Sequence, residues 1–281
     1  MANLLIGFML AVGIAWLAHR AGALNSSGAI AAGVLGTVVF GLGGVGWAVV
    51  LLTFFITSSA LSRLYKSKKD GVGLDFAKGS RRDWGQVAAN GAVAGFLVLY
   101  YVLLAQLDAG SGLLPVLWVG FAASLAGANA DTWATELGVL NPGEPFLVSN
   151  GQRVPRGTSG AVSPTGILAA LAGSGLVGAA AWLVSLAGWA PAGGPPLYVQ
   201  FLVITLGGVM GSFVDSFLGA TFQAVFYCEN CQKETERSPL HTCGTTTIRK
   251  RGLRWLDNDW VNTACTLSAG LAGMFLAAML G

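Results

Sequence analysis

Leu113-Leu-Pro-Val-Leu-Trp-Val-Gly-Phe-Ala-Ala-Ser-Leu-Ala-Gly-Ala-Asn-Ala130 runs without a single charge until it meets Asp131. About 20 apolar residues cross a bilayer as a helix, so this stretch predicts a membrane span that ends in a carboxylate. Comparable runs lie at 4–17, 45–61, 87–107, 167–186, 198–218 and 261–280, with a shorter, Gly-rich one at 28–40. The fold expected is therefore all-α: a polytopic membrane bundle of about eight helices forming one membrane domain over 1–281. Composition agrees, since 54% of the residues are hydrophobic and 10% are charged, against roughly 25% charged in an ordinary soluble domain. The start, Met1-Ala2-Asn3, lacks the basic region of a cleaved signal peptide, so the first run is expected to be retained.

Glycine supplies 41 of the 281 residues. Inside apolar runs, small residues let helix backbones approach closely where lipid provides no hydrophobic drive to association. Basic residues orient the bundle. All 16 fall after the first, third, fifth and seventh spans, and none falls in the connections on the opposite side. The positive-inside rule then places those four connections in the cytoplasm and both termini outside, in a cell membrane. Three cytoplasmic segments follow: 62–86, basic; 131–164, rich in Gly, Pro, Ser and Thr; and 222–260, which holds three of the four cysteines.

Carboxylates inside or at the edge of a membrane are costly and usually serve a purpose. Asp131 and Glu136 end the fifth span, Asp215 lies in the seventh, and Asp257 and Asp259 precede the eighth with Asn258 and Asn262. On an unbroken helix Asp131 and Glu136 diverge by roughly 140°, with Asn129 and Glu136 sharing one face. Both could reach one metal only if the helix broke near Gly138. Arg81, Arg82 and Asn90 open the fourth span. Arg153, Arg156, Gly157, Thr158, Ser159, Gly160 and Ser163 lead into the sixth, in a loop of small residues and hydroxyls before a helix N-terminus, which favours anions. It does not match the Walker pattern, and an ordinary capped turn is an equal reading of the same residues.

Carboxylates suited to Mg2+, a Gly-rich anion loop and clustered cations point to phosphate chemistry. With only His19 and His241 present, a Ser-His-Asp hydrolase is disfavoured. Cys228, Cys231, His241 and Cys243 form a candidate structural Zn2+ loop at 228–243, although the His-x-Cys pair departs from the commoner second Cys-x2-Cys. Cys265 reads as a small buried apolar residue.

Four ordered motifs then carry a resemblance: Ala130-Asp-Thr-Trp-Ala-Thr-Glu-Leu-Gly138, Gly157-Thr-Ser-Gly-Ala-Val-Ser-Pro-Thr-Gly166, Asp215-Ser-Phe-Leu-Gly-Ala-Thr-Phe-Gln223 and Trp255-Leu-Asp-Asn-Asp-Trp-Val-Asn262. Together they resemble the domain-of-unknown-function 92 family, which includes the plant phytyl-phosphate kinase of the vitamin E pathway and the animal transmembrane protein 19. The resemblance implies CTP-dependent conversion of a prenyl monophosphate, phytyl or geranylgeranyl phosphate, to its diphosphate. On that reading Asp131 and Asp215 hold Mg2+, helped by Glu136 or Asp259. The arginines and the loop bind phosphates, and Asn90 and Asn262 order the metal's water. The implied partners are CTP, the lipid and the bilayer, with no nucleic acid; oligomeric state is not legible. A cytidylyltransferase would use the same groups, and a transporter would also place carboxylates in a bundle.

Overall fold

The computed structural model describes residues 2–65 and 81–281; the basic residues Lys66, Lys68, Lys69 and Lys78 lie outside them. The described residues form eight long apolar helices: α1 (Ala2–Arg20), α2 (Ser26–Val38), α3 (Val45–Leu64), α4 (Trp84–Leu107), α5 (Leu113–Gly138), α6 (Pro164–Leu186), α7 (Leu197–Thr221) and α8 (Asn258–Leu280). Each is long and apolar enough to cross a membrane, α2 by continuing through a π turn at Val39–Gly43.

α5 is the axis of the bundle, packed on α3, α4, α6, α7 and α8, while α1 and α2 pair at the side against α4. That position is written in α5 itself. Its run of Gly, Ala and Ser offers little bulk, and every residue from Leu117 to Ala130 is buried. Lipid instead meets helices such as α1, whose Leu5, Met9 and Trp16 are exposed. A cluster of Trp47, Trp118 and Phe121 fills the bundle interior, with ring centroids 4.5 to 5.8 Å apart.

α5 continues unbroken through Gly138. A break that would turn Asp131 and Glu136 toward one metal is therefore absent. Two small sheets lie at the same end of the bundle. Strands β1 (Phe146–Leu147) and β2 (Ala161–Val162) pair antiparallel between α5 and α6. Strands β3 (Val225–Cys228), β4 (Lys233–Thr235) and β5 (Ile248–Arg251) form a sheet in the order β4-β3-β5 between α7 and α8. These strands add local β structure to a segment that the sequence presents only as a loop with cysteines.

Candidate active site

Glycine brings the two intramembrane aspartates together. Gly127 stands one turn before Asp131 on α5, and Gly211 one turn before Asp215 on α7. A Cβ at Gly127 would sit 2.8 Å from the Ala269 Cβ, and one at Gly211 would sit 2.6 Å from the Cys265 carbonyl oxygen and 2.8 Å from the same Ala269 Cβ. Both helices thus lie backbone-close to one face of α8, and the next turn of each presents its aspartate to the other. The Asp131 and Asp215 carboxyls come within hydrogen-bonding range, with Glu236 close enough to act electrostatically on both. Two carboxylates at this range need a cation or a shared proton between them. Asp215 Oδ2 is buried without a hydrogen-bond partner. Cys265 is buried beside them, in keeping with a small apolar residue.

The aspartates line a cavity of about 530 Å3. Glu136, more than one turn further along α5 and rotated by roughly 140°, faces a different wall: it accepts a 2.8 Å hydrogen bond from Ser62 Oγ on α3. Arg82 completes that wall. Its Nη2 donates to Ser58 Oγ at 2.9 Å, and its guanidinium lies 5.3 Å from the Phe54 ring centroid. Burial pulls the guanidinium down to about 10 while Glu136 opposes that shift, so Arg82 remains a cation at neutral pH. Its backbone is fixed, accepting from Asn25 N–H and donating to the Ala23 carbonyl, both at 3.0 Å. Arg81 points elsewhere and donates to the Leu24 carbonyl at 3.4 Å.

The loop before α6 forms the rim. Gly157, Thr158, Ser159, Gly160 and Ser163 all line the cavity, as does Arg156, whose Nη2 donates to the Pro142 carbonyl at 2.7 Å. The hydroxyls serve the loop's own shape. Thr158 Oγ1 donates to the Pro155 carbonyl at 2.7 Å, and Ser159 Oγ donates to Gln223 Oε1 at 2.8 Å. Ser163 Oγ caps α6, accepting from Gly166 N–H at 3.1 Å while donating to the Gly138 carbonyl at 3.2 Å. Arg251 ties rim to helix, with Nη1 donating to the Gly219 and Ala220 carbonyls at 3.0 Å.

Asn90, Asn258 and Asn262 reach the cavity, the last two one turn apart on α8. Asp259, on the adjacent face, does not line it. Asp257 caps α8 by accepting from Asp259 N–H and Trp260 N–H. Arg153 lies outside the cavity, bridged to Phe146. Asn129 lies beneath it, fully buried: its Nδ2 donates to the Gly173 carbonyl at 2.8 Å and its Oδ1 accepts from Thr57 Oγ1 at 3.1 Å, tying α3, α5 and α6.

Among the lining residues that escaped the predicted site set are Ser62, Gln223, Glu236 and Arg237. Gln223 Nε2 donates to Glu236 Oε1 at 2.8 Å, so a hydrogen-bonded chain runs from the rim loop through Gln223 to Glu236. The one available signal was Gln223, which ends a family-like motif. Glu236 and Arg237 sit in a polar loop that looks like any other.

Beyond them lies the Cys3His group. The donor atoms of Cys228, Cys231, His241 and Cys243 all lie within 4.8 Å of one another, a set that could hold a metal ion. Cys228 Sγ and Cys243 Sγ are 3.5 Å apart, and His241 Nδ1 is 3.3 Å from Cys243 Sγ. Thiolates about 2.3 Å from a tetrahedral zinc stand roughly 3.7 Å apart, so the spacing suits that ion. The Thr245 hydroxyl and then His241 hold the Cys243 thiol down to about 5, while contact with Cys243 pushes Cys231 up to about 11.

Comparison with known proteins supplies kinship. Protein PGR of Arabidopsis thaliana is 35% identical over 258 residues, covering 89% of this chain and 87% of that protein. The uncharacterized membrane protein MJ0933 of Methanocaldococcus jannaschii is 25% identical over 98% of this chain and 94% of its own length. Protein VTE6, chloroplastic, of Arabidopsis thaliana is 26% identical over 85% of this chain and 61% of its own length. No solved structure matches the chain at a significant level. The profile of the integral membrane protein family DUF92 matches residues 9–270, and the chain belongs to that family.

Proposed function

We propose that the chain is one membrane domain and a prenyl-phosphate kinase, transferring the γ-phosphoryl group of CTP to a prenyl monophosphate. One observation carries this reading: the Asp131–Asp215 pair shares a cavity at the edge of the bundle with Arg82 and Arg156. The likeness to VTE6 and the motifs shared with the family support the lipid class.

The donor set fits Mg2+, which favours one or two carboxylates plus phosphate oxygens, and the partnerless buried Asp215 Oδ2 is an oxygen such an ion would use. Asp131 and Asp215 would hold it. Bound there, Mg2+ supplies charge neutralisation to the triphosphate. Arg82 and Arg156 hold phosphate oxygens, one from the start of α4 and one from the rim loop. In the transfer the β–γ bridging P–O bond breaks, CDP leaves with its electron pair, and an oxygen of the lipid phosphate bonds to the γ-phosphorus. That oxygen is already anionic near neutral pH, the second pKa of a phosphate monoester being about 6. The reaction therefore asks for alignment and charge neutralisation, not a general base.

A narrow apolar cleft of about 60 Å3 between α1, α2, α3 and α4 meets the cavity at Arg82, Gln86 and Asn90. It has room for the first carbons of a tail whose remainder lies in the bilayer. In this reading the face lies in the cytoplasm, which the gathering of basic residues in its connections supports, and the Cys3His group is a structural zinc clip.

The test is purified protein with Mg2+, phytyl or geranylgeranyl monophosphate and γ-labelled CTP. Label in a lipid diphosphate is the expected result. Labelled pyrophosphate with a CDP-lipid would make the chain a cytidylyltransferase, and no consumption of any nucleotide across several lipids would sink the enzyme reading.

A further inference from the structure

Glu236 and Arg237 reach the cavity from a segment that is pinned at both ends to one point. Before them, Cys228 ends β3, and Cys231 sits in the turn to β4. After them, His241 and Cys243 return to the same spot, with all four donor atoms within 4.8 Å of one another. The eleven-residue stretch from Cys231 to His241 is thus a loop closed at the Cys3His group, with Glu236 and Arg237 at its middle. Up to Thr235 the loop is held by the pairing of β4 with β3, and beyond it by Gln223 donating to Glu236 and by ties at Arg237: Thr235 Oγ1 accepts from Arg237 N–H at 3.1 Å, and Thr247 Oγ1 donates to the Arg237 carbonyl at 2.9 Å. Closing a loop removes conformational freedom that an open loop keeps.

The two residues suit one anionic ligand. Glu236 stands beside Asp131 and Asp215 and accepts from Gln223. Arg237 lines the same cavity with its Nε buried and lacking a hydrogen-bond partner. A buried guanidinium N–H without an acceptor costs free energy that a phosphate oxygen would recover.

We infer that the Cys3His zinc clip is a positioning device for the phosphate site: it holds Arg237 as a ligand for a magnesium-bound phosphate group and Glu236 as the third carboxylate beside Asp131 and Asp215. This rests on the reading of the cavity as a phosphate site and adds a dependence on zinc that the reading does not require. Glu236 and Arg237 touch the ligand; the cysteines and His241 act through them.

The experiment is calorimetric titration of full-length protein in detergent with magnesium pyrophosphate, alongside zinc content by mass spectrometry. Wild type should carry one zinc per chain and bind pyrophosphate. R237Q should keep its zinc and bind about tenfold or more weakly, the scale of one charge-assisted hydrogen bond. E236Q should keep its zinc and need more Mg2+ for half-saturation. Stripping zinc from wild type with a chelator, then removing the chelator, should reproduce the R237Q loss with helix content unchanged by circular dichroism, and zinc added back should restore binding. C231S should match the stripped protein; should it fail to fold, the strip-and-restore series decides. Wild type without zinc overturns the inference, as does wild-type affinity in R237Q, or in zinc-stripped protein. If wild type binds pyrophosphate with these dependences yet phosphorylates no lipid, the proposed reaction fails while this inference stands.

Discussion

Gly160→Ala tests how the rim of the cavity is built. Gly160 sits at φ +78, where a side chain costs roughly 1–2 kcal/mol. An added Cβ would lie 2.0 Å from the Ala220 nitrogen, 2.4 Å from its Cα and 2.6 Å from its Cβ, well inside van der Waals contact. These atoms belong to the last turn of α7, whose end carbonyls are held by Arg251, so they cannot step aside as the tip of a flexible side chain could. Overpacking of this kind costs about 1–3 kcal/mol. The two effects together come to about 3 kcal/mol, several degrees in apparent Tm.

Relief requires the loop to lift from α7 by about 1 Å, which breaks the Ser159–Gln223 hydrogen bond and moves the rim. A displacement of about 1 Å at a positioning element can cost on the order of 100-fold in turnover. Gly151→Ala is the control. It has a similar φ of +71, but nothing lies within 4 Å of its added Cβ. It should lose only the roughly 1–2 kcal/mol of the left-handed backbone and keep full turnover. Thermal unfolding in detergent and the labelled-CTP assay read both variants. Equal losses of stability and turnover in the two would refute the close seam between rim loop and α7.

Asp131→Asn and Asp215→Asn should each lower turnover by about 100-fold or more while leaving Tm equal or higher, because removing one of two facing carboxylates relieves their repulsion. Wild-type turnover in either removes the metal-site assignment. Arg82→Ala strips Glu136, Ser58 and the Phe54 ring of a shared partner, and unfolding should show a loss of about 2 kcal/mol, discounted from the buried-pair scale because Arg82 is half-buried. Gly91→Ala places a Cβ 2.3 Å from Leu35 Cδ2, a movable side-chain end in the wall of the apolar cleft. Narrowing the cleft should raise KM for the lipid several-fold more than it lowers kcat, and the same kinetics as wild type would remove the cleft from the lipid path.

The bundle was legible because its signal is local. Each span announces itself by an apolar run bounded by polar connections, and the short run at 28–40 becomes a full span only because the π turn extends it. The aspartates were legible for the same reason, as charges where lipid makes charge costly. The divergence of Asp131 and Glu136 also followed from helix geometry alone. Whether a polar residue faces the cavity or a neighbouring helix depends on how α5 is rotated among its partners, which no local pattern records. Asn129 accordingly shares a helix face with Glu136 in the sequence yet is a crosslink between helices. Of the two readings the rim hydroxyls allowed, the capped turn is the one whose hydrogen bonds the structure holds. Glu236 and Arg237 were hidden because they reach the cavity through strand pairing and the Cys3His closure, contacts distant in sequence.

Packing and chemistry are joined on the same helices. Lipid tails are as apolar as the helices they surround, so close association comes from small residues and not from a hydrophobic drive. Gly127 and Gly211 therefore do more than fill a seam: by letting α5 and α7 approach the Cys265–Ala269 face of α8, they set the separation of the two carboxylates one turn later. A larger residue at either glycine would move its aspartate along with the helix that carries it. The matching Gly-x3-Asp spacing on α5 and α7 makes the two halves of the pair answer to the same packing surface. A cation held between them would then be positioned by backbone contacts within the membrane, while the soluble rim and the cysteine-bearing sheet determine what approaches it from outside.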